Sequence, residues 1–286
     1  MRGTSGIGRI AAAISGALWL GATSAGAADD VGRPLPDPVA VDVPAAAEPA
    51  PQPDPEIEAA AQRVADEAAI AQASFVAARL ATRAPRELYP YFDLYLYVSK
   101  AARGLWAQRM FVFRKDETNT LVFEETFAVS TGRERHEQYF TWTPPGIFAL
   151  DPNRFYRITY SAKWRNAAMP WAMFLDYSYR TKMSGVALHA ATRGLVKNLG
   201  KRASGGCVRL PPDRAESLFG RIQANFRGRV PVFAFDEDAG TTNREGRVAR
   251  DSRNAPLLKQ GYRVLLIVDD FGGPEVTAAL ANTPGS

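Results

Sequence analysis

The middle of the chain is dominated by short β-prone runs separated by turn-forming residues, and this pattern constrains the fold more than any other feature. The first runs are Leu94–Val98, Met110–Phe113 and Leu121–Phe123, with turn formers at Gly104 and at 116–119. Further runs of the same kind follow: Tyr156–Tyr160, Met173–Tyr177, Val186–Leu188, Val230–Phe235 and Tyr262–Val268. Segments of this length and composition are typical of sheets, so the sequence predicts a mainly β fold, either a sandwich or a barrel.

One predicted helix interrupts these strands. Pro211-Pro212 marks its start, and Asp213 lies in its first turn, where the helix dipole favours an acid. Its apolar residues recur at three- and four-residue steps: Ala215, Leu218, Phe219, Ile222 and Phe226. The sequence therefore predicts a helix directly after Cys207.

The rest of the chain divides into extensions around a β-rich domain over 86–236. Residues 28–55 are rich in proline and predict a semi-rigid linker. Residues 56–85 have a helical period with few breakers and predict a helical extension that packs on the domain or on a partner. After the domain, the charged and Gly-containing residues 237–260 predict a flexible loop, and 261–286 predict a final strand and a tail.

The first 27 residues have the three-part pattern of a secretory signal peptide. Arg2 and Arg9 precede an apolar run over 10–20, and small residues close the segment at Ala27, after which we expect cleavage. A membrane anchor is the alternative, but the run is well short of the roughly 20 residues that a spanning helix needs. The sequence thus predicts export to the periplasm or cell envelope, with no transmembrane segment in the mature chain.

The cysteine count and the net charge narrow the class of protein further. Because Cys207 is the single cysteine, an internal disulfide is excluded, and so is an acylated lipoprotein, which needs a cysteine directly after the signal. The formal net charge of +5 and the pI of about 9.4 favour association with anionic lipid or wall polymer, or solubility alone. The sequence predicts no nucleic-acid partner, no metal and no cofactor.

Cys207 and His189 form a candidate nucleophile and base. The chain has only two histidines, His136 in a polar loop and His189 at the end of the run 186–188. A thiol with an ordinary pKa of about 8.5 needs a nearby base or positive charge to react, and Arg209 would favour its thiolate. The alternative is a buried structural cysteine beside a satisfied core histidine.

The turn before the cysteine predicts an anion-binding backbone. Ser204-Gly205-Gly206 precedes Cys207, and glycines allow successive N–H groups to point at one anion. We therefore expect the N–H groups of Gly206 and Cys207 to stabilise an oxyanion. Ser204, Gly205 and Arg209 are further candidates for oxyanion or substrate binding.

Several segments carry a resemblance to a known family. They are Val129–Gly132, Thr143–Phe148, Met169–Met173, His189-Ala190 and Ser204–Leu210. Together they resemble the L,D-transpeptidase catalytic domain (YkuD-like) family, over roughly residues 94–235. The resemblance implies a β-sandwich-like catalytic domain over 86–236, with a cleft that holds a Cys–His pair and has Trp171 beside it.

The resemblance also implies roles for individual residues. Cys207 would be the nucleophile, His189 the base, and Ala190 the residue whose backbone carbonyl orients the imidazole. The expected donor is a peptidoglycan stem tetrapeptide, which loses its terminal D-alanine and is held as a thioester until an amine resolves it. One departure stands out: Gly205 replaces the histidine of the family's usual Ser-His-Gly-Cys run, which would enlarge the mouth of the cleft.

Three functions stay open at the level of sequence. The first is an L,D-transpeptidase that forms crosslinks or attaches another acceptor amine to the wall, including that of an envelope protein. The second is an L,D-carboxypeptidase or hydrolase that trims stems or releases wall-bound proteins, with water resolving the thioester. The third is a catalytically weak module that binds peptidoglycan, which the replacement at Gly205 motivates.

Overall fold

The computed structural model describes residues 55–137, 141–180 and 182–274. The predicted signal peptide over 1–27, the linker over 28–55 up to residue 54 and the end of the tail from residue 275 lie outside the described residues. Among the described residues, no helix combines the length and the apolar character that crossing a membrane would require.

The described elements are mostly strands. The helices are α1 (Pro55–Ala71), α2 (Ala73–Arg83) and α3 (Pro212–Asn225), with 3₁₀ turns at Arg86–Tyr91, Ala162–Trp164 and Arg193–Asn198. The strands are β1 (Leu94–Ser99), β2 (Arg109–Lys115), β3 (Leu121–Ala128), β4 (Gly146–Phe148), β5 (Leu150–Ser161), β6 (Ala167–Leu175), β7 (Ser178–Tyr179), β8 (Lys182–Met183), β9 (Ala187–Ala190), β10 (Val208–Leu210), β11 (Arg227–Pro231), β12 (Phe235–Asp236), β13 (Thr241–Thr242), β14 (Leu258–Tyr262) and β15 (Val264–Asp269).

A five-stranded sheet, sheet A, has the order β3-β2-β1-β15-β4. Its central strand β1 pairs in parallel with β15 and antiparallel with β2, and every residue of β1 is buried. Because successive side chains of a strand point to opposite faces, Leu96 and Val98 enter one core while Tyr95 and Tyr97 enter another. Sheet A is therefore covered on both faces.

A four-stranded sheet, sheet B, has the order β10-β9-β6-β5 and packs on one face of sheet A. The core between the sheets joins Leu96 and Leu266 of sheet A to Leu188 of sheet B and to Leu218 and Ile222 of α3. The predicted mainly β, sandwich-like domain is confirmed, and so is its one helix after Cys207.

The helical extension covers the other face of sheet A. Val76 and Leu80 of α2 are fully buried, in the same cluster as Tyr95 and Tyr97 of β1. The predicted N-terminal helical extension is thus confirmed, as two consecutive helices. The sequence left open whether it packs on the domain or on a partner, and α2 packs on the domain.

The segment 237–260, predicted to be a flexible loop, is instead partly built into sheets. It contains β13 and the start of β14, and β14 pairs antiparallel with β11. Val248 is 5% exposed and belongs to the core that α2 covers. The loop prediction was wrong because β14 forms through backbone pairing with β11 and has no apolar pattern of its own. Composition does not reveal such a pairing partner.

Candidate active site

Two parallel strands at the edge of sheet B bring the candidate residues together. Strands β9 and β10 pair Leu188 with Val208 and His189 with Arg209. Leu188 and Val208 point into the core between the sheets, so alternation turns His189 and Arg209 to the outer face. Cys207, one residue before β10, packs with Ala187 in a small apolar cluster on that face. The thiol and the imidazole therefore share one face of adjacent strands.

The imidazole of His189 is buried and its tautomer is defined by one contact. The side chain is 6% exposed, and Nδ1 lies 2.9 Å from the backbone oxygen of Ala190. Because a carbonyl oxygen only accepts, Nδ1 carries the proton and Nε2 is the basic nitrogen. Burial lowers the pKa of His189 to about 4, against the opposing effect of the Ala190 hydrogen bond. The ring is therefore neutral at pH 7.

The thiol of Cys207 is half-buried and protonated in this state. Its Sγ donates to the backbone oxygen of Gly185 at 3.6 Å. Burial raises the pKa of the Cys207 thiol, while the backbone N–H of Ala187 and the charge of Arg209 act in the opposite direction. Arg209 favours the thiolate, as the sequence predicts, but burial has the larger effect on the pKa of the thiol.

Arg209 adds a cation to the same face. Its Nη1 donates to the backbone oxygen of Ala203 at 3.1 Å, and its Nε is buried without a hydrogen-bond partner among the described residues. Burial lowers the pKa of Arg209, although a guanidinium stays charged at any physiological pH. A charged donor is thus available beside the thiol.

The turn over residues 204–207 is closed on itself. The fully buried Ser204 accepts the N–H of Gly206 on its Oγ at 3.0 Å and donates from that Oγ to the backbone oxygen of Cys207. The sequence assigned Ser204 and the Gly206 N–H to oxyanion or substrate binding, whereas both are engaged inside the turn. A serine hydroxyl commonly reaches the N–H two residues ahead in this way. Gly206 has φ +125°, where a side chain is strained, so glycine is needed there.

Thr143, which the sequence does not predict as a site residue, holds this turn from outside. Its Oγ1 accepts the N–H of Gly132 and donates to the backbone oxygen of Gly206, both at 2.8 Å. Lys100, 1% exposed, donates from Nζ to the Thr143 backbone oxygen and pairs with Glu134 at 2.8 Å. The family resemblance includes the segment Thr143–Phe148, so the sequence did contain a signal for Thr143. It contained none for the burial of Lys100, because lysine side chains are ordinarily exposed.

Trp171 does not lie with the thiol. Its ring packs on Phe219 of α3 with the centroids 5.4 Å apart, against the core between the sheets. The prediction that Trp171 lines the cleft is therefore wrong. The apolar pattern of β6 predicts a strand, but it does not predict which of its side chains face α3.

Gly205 does not widen the site. The indole of Trp164 lies against it, so that a Cβ at position 205 would be 2.5 Å from Cε2 and 2.6 Å from Nε1 of that ring. The expectation that Gly205 enlarges the mouth of the cleft is wrong, because a side chain from another element fills the space.

The arrangement contains the groups that nucleophilic acyl transfer requires. A thiol, an imidazole whose Nε2 is the basic nitrogen and a guanidinium occupy one face of sheet B, which suits covalent catalysis on a carbonyl carbon. Among the described residues, no group of three or more His, Cys, Asp or Glu side chains could hold a metal ion. A thiol and an imidazole on one sheet face are the groups that cysteine-based acyl-transfer domains use.

A comparison with family models identifies the family within that class. The model of the L,D-transpeptidase catalytic domain, YkuD, matches residues 94–242, which is just over half of the chain. The chain therefore belongs to this family, and the resemblance seen in the sequence is confirmed. The match runs from the start of β1 to the end of β13, and it includes β9, the turn over 204–207 and β10.

Two solved structures are similar to this chain. One, the LD transpeptidase LdtMt1 in complex with imipenem, is 17% identical, covers 62% of this chain and 59% of its own, and has a TM-score of 0.35. The other, an L,D-transpeptidase from Mycobacterium smegmatis, is 13% identical, covers 62% and 58%, and has a TM-score of 0.34. The chain thus spans about three fifths of each. The comparison with curated proteins found no match.

Proposed function

We propose that this protein is an exported L,D-transpeptidase that holds peptidoglycan stem tetrapeptides as a thioester on Cys207. One observation carries the proposal. The Ala190 oxygen at 2.9 Å from Nδ1 leaves Nε2 of His189 as a base on the sheet face that also bears the thiol. Family membership supplies the substrate class, since the matched region contains both residues.

The first half-reaction starts from a protonated Cys207 thiol and a neutral His189 imidazole. Nε2 of His189 takes the proton of the Cys207 thiol as Sγ attacks the carbonyl carbon of the third stem residue. The imidazolium that forms is more acidic than an ordinary one, because burial holds the pKa of His189 at about 4. It therefore protonates the departing amine of D-alanine, and the thioester remains on Sγ.

The second half-reaction returns the thiol. An acceptor amine attacks the thioester carbonyl, Nε2 removes the amine's proton, and Sγ leaves and is protonated again. The acceptor is the amine of a second stem or that of an envelope protein. Since the N–H of Gly206 is engaged with Ser204, we assign the oxyanion to the N–H of Cys207 in both steps.

Arg209 is the residue that we assign to the substrate's carboxylate. Its Nε is buried without a partner among the described residues, and burying a charged donor unpaired is costly. A stem carboxylate paired with the accessible part of the guanidinium would offset that cost and orient the scissile bond. The predicted signal peptide supports the assignment of this chemistry to the periplasm.

A second candidate function is a catalytically weak module that binds peptidoglycan. It is favoured by the hydrogen bond from Sγ of Cys207 to the Gly185 oxygen and by the raised pKa of that thiol, since buried protonated cysteines are commonly inert.

Muropeptide analysis separates these functions. Purified protein is incubated with disaccharide tetrapeptides, with Cys207→Ala as the matched control. The proposal expects crosslinked dimers and free D-alanine from the wild type and neither from the variant. Shortened stems without dimers would indicate the hydrolase, and unchanged stems that still bind the protein would indicate the weak module.

A further inference from the structure

Trp164 stands beside the turn that carries Cys207, although it comes from a distant part of the chain. It ends the 3₁₀ turn Ala162–Trp164 at the tip of the β5–β6 hairpin, where Arg165 and Asn166 both have left-handed backbones with φ of 51° and 54°. This tight reversal aims the indole at Gly205. Trp164 is half-buried, so part of the ring remains open to solvent.

The fit between the indole and Gly205 is close enough to exclude any side chain there. A Cβ at 205 would meet three ring atoms of Trp164 at 2.5, 2.6 and 2.8 Å, distances that Cβ atoms essentially never show. The backbone of Gly205 is not in the left-handed region, so the space alone requires glycine. The residue types at 164 and 205 are therefore coupled by volume.

A second cation fixes the indole against the turn. The guanidinium of Arg133 lies 5.5 Å from the centroid of the Trp164 ring. Arg133 also donates to the backbone oxygen of Ala203 at 3.2 Å, the same oxygen that accepts from Arg209, and it pairs with Glu137 at 2.7 Å. The ring is thus held by the Gly205 backbone and by a guanidinium that is itself bound to the turn.

We infer that Trp164 is a specificity-determining residue of the Cys207 site and forms the wall that a side chain at position 205 would otherwise supply. The inference rests on the proposed function. This planar apolar ring packs against Gly205, two positions before the nucleophile, and contacts the acyl donor beside its scissile carbonyl. Its removal weakens the binding of the donor more than it slows the chemistry.

A double-mutant cycle tests this coupling. Acylation of Cys207 by imipenem, a carbapenem, is followed by intact mass for the wild type, Gly205→Ala, Trp164→Ala and the double variant. Gly205→Ala should lower the second-order rate constant about tenfold in the wild type, because its methyl group displaces the indole. In the Trp164→Ala background the methyl group finds empty space, so the same change should cost less than about twofold. With stem tetrapeptide, Trp164→Ala should raise KM about tenfold with a smaller change in kcat.

Two controls keep the result interpretable. Gly220→Ala, on the exposed side of α3, adds a Cβ that meets nothing within 4 Å and should leave the rate constant within about twofold. If Trp164→Ala does not fold, Trp164→Leu, which lacks the ring atoms that a Cβ at position 205 would meet, replaces it in the cycle.

The outcomes distinguish the inference from the function on which it rests. Equal fold-changes for Gly205→Ala in both backgrounds, or an unchanged KM in Trp164→Ala, would overturn the role of Trp164 and leave the transpeptidase proposal intact. A wild-type protein that is folded but forms no adduct would overturn both.

Discussion

Cys207 and His189 share one face of sheet B, but they are held there in different ways. The ring of His189 is oriented by the carbonyl of Ala190, its own neighbour in β9. The turn of Cys207 is held by Ser204 inside it and by Thr143, which lies more than 60 positions earlier. The base is thus positioned by local geometry and the nucleophile by packing between distant segments.

Because of this difference, substitutions at the base and substitutions around the turn should have different effects. A change at the base should remove chemistry while the fold persists, because little else depends on the imidazole. A change around the turn should affect stability and reactivity together, because the same hydrogen bonds that hold the backbone also aim the thiol.

His189→Gln should lower the rate of Cys207 acylation by on the order of a thousandfold, since general-base catalysis of this kind contributes about 10²–10⁴. The amide keeps a donor for the Ala190 oxygen but has no basic nitrogen. Intact-mass kinetics with imipenem measure the effect, and circular dichroism verifies the fold. A loss of less than tenfold in a folded protein would show that the base lies elsewhere.

The buried neutral imidazole should also make stability depend on pH. Burial lowers the pKa of His189 to about 4, so between about 6.5 and 4 the unfolded chain binds a proton there that the folded chain does not. The neutral imidazole therefore contributes to the free energy of unfolding above about pH 6.5, the pKa of histidine in the unfolded chain. This contribution is lost as the pH falls toward 4, and the total loss is about 3 kcal/mol.

Urea unfolding of the wild type and of His189→Gln at pH 7, 5.5 and 4 measures this contribution. The free energy of unfolding of the wild type, taken relative to the variant, should decrease as the pH is lowered. A difference between the two proteins that stays constant with pH would mean that the imidazole is not buried in its neutral form.

Thr143→Val should destabilise the fold by about 2 kcal/mol, because it leaves the buried Gly132 N–H and Gly206 oxygen without their partner. It should also slow acylation of Cys207 about tenfold by loosening the turn. Thr143→Ser keeps the hydroxyl and should come close to the wild type in both measurements. If the Val variant loses stability but reacts at the wild-type rate, Thr143 does not orient the Cys207 thiol.

The sequence predicted the parts of the fold that depend on local pattern. The strands around β1 and the helix α3 followed from apolar spacing, and His189 with Cys207 followed from rarity and family resemblance. What it missed depends on contacts between distant segments. The pairing of β14 with β11, the side of β6 on which Trp171 lies and the burial of Lys100 have no local signature.

The glycine at 205 illustrates the same limit within the site. In the sequence, Gly205 lacks the side chain that the family usually has at this position, so the sequence predicts a more open cleft. The structure fills that space with Trp164, about 40 positions earlier in the chain, through a hairpin whose reach the sequence does not specify. A substitution at one position can therefore be offset by a residue that no alignment of short motifs would connect with it.

Trapping the thioester tests the central claim most directly. The protein is mixed with stem tetrapeptide without an acceptor amine, quenched with acid at short times, and examined by intact mass and peptide mapping. The account predicts an adduct equal to the stem minus D-alanine on the peptide that contains Cys207, absent in Cys207→Ala and strongly reduced in His189→Gln. An adduct on another residue, or none while D-alanine is released, would contradict it.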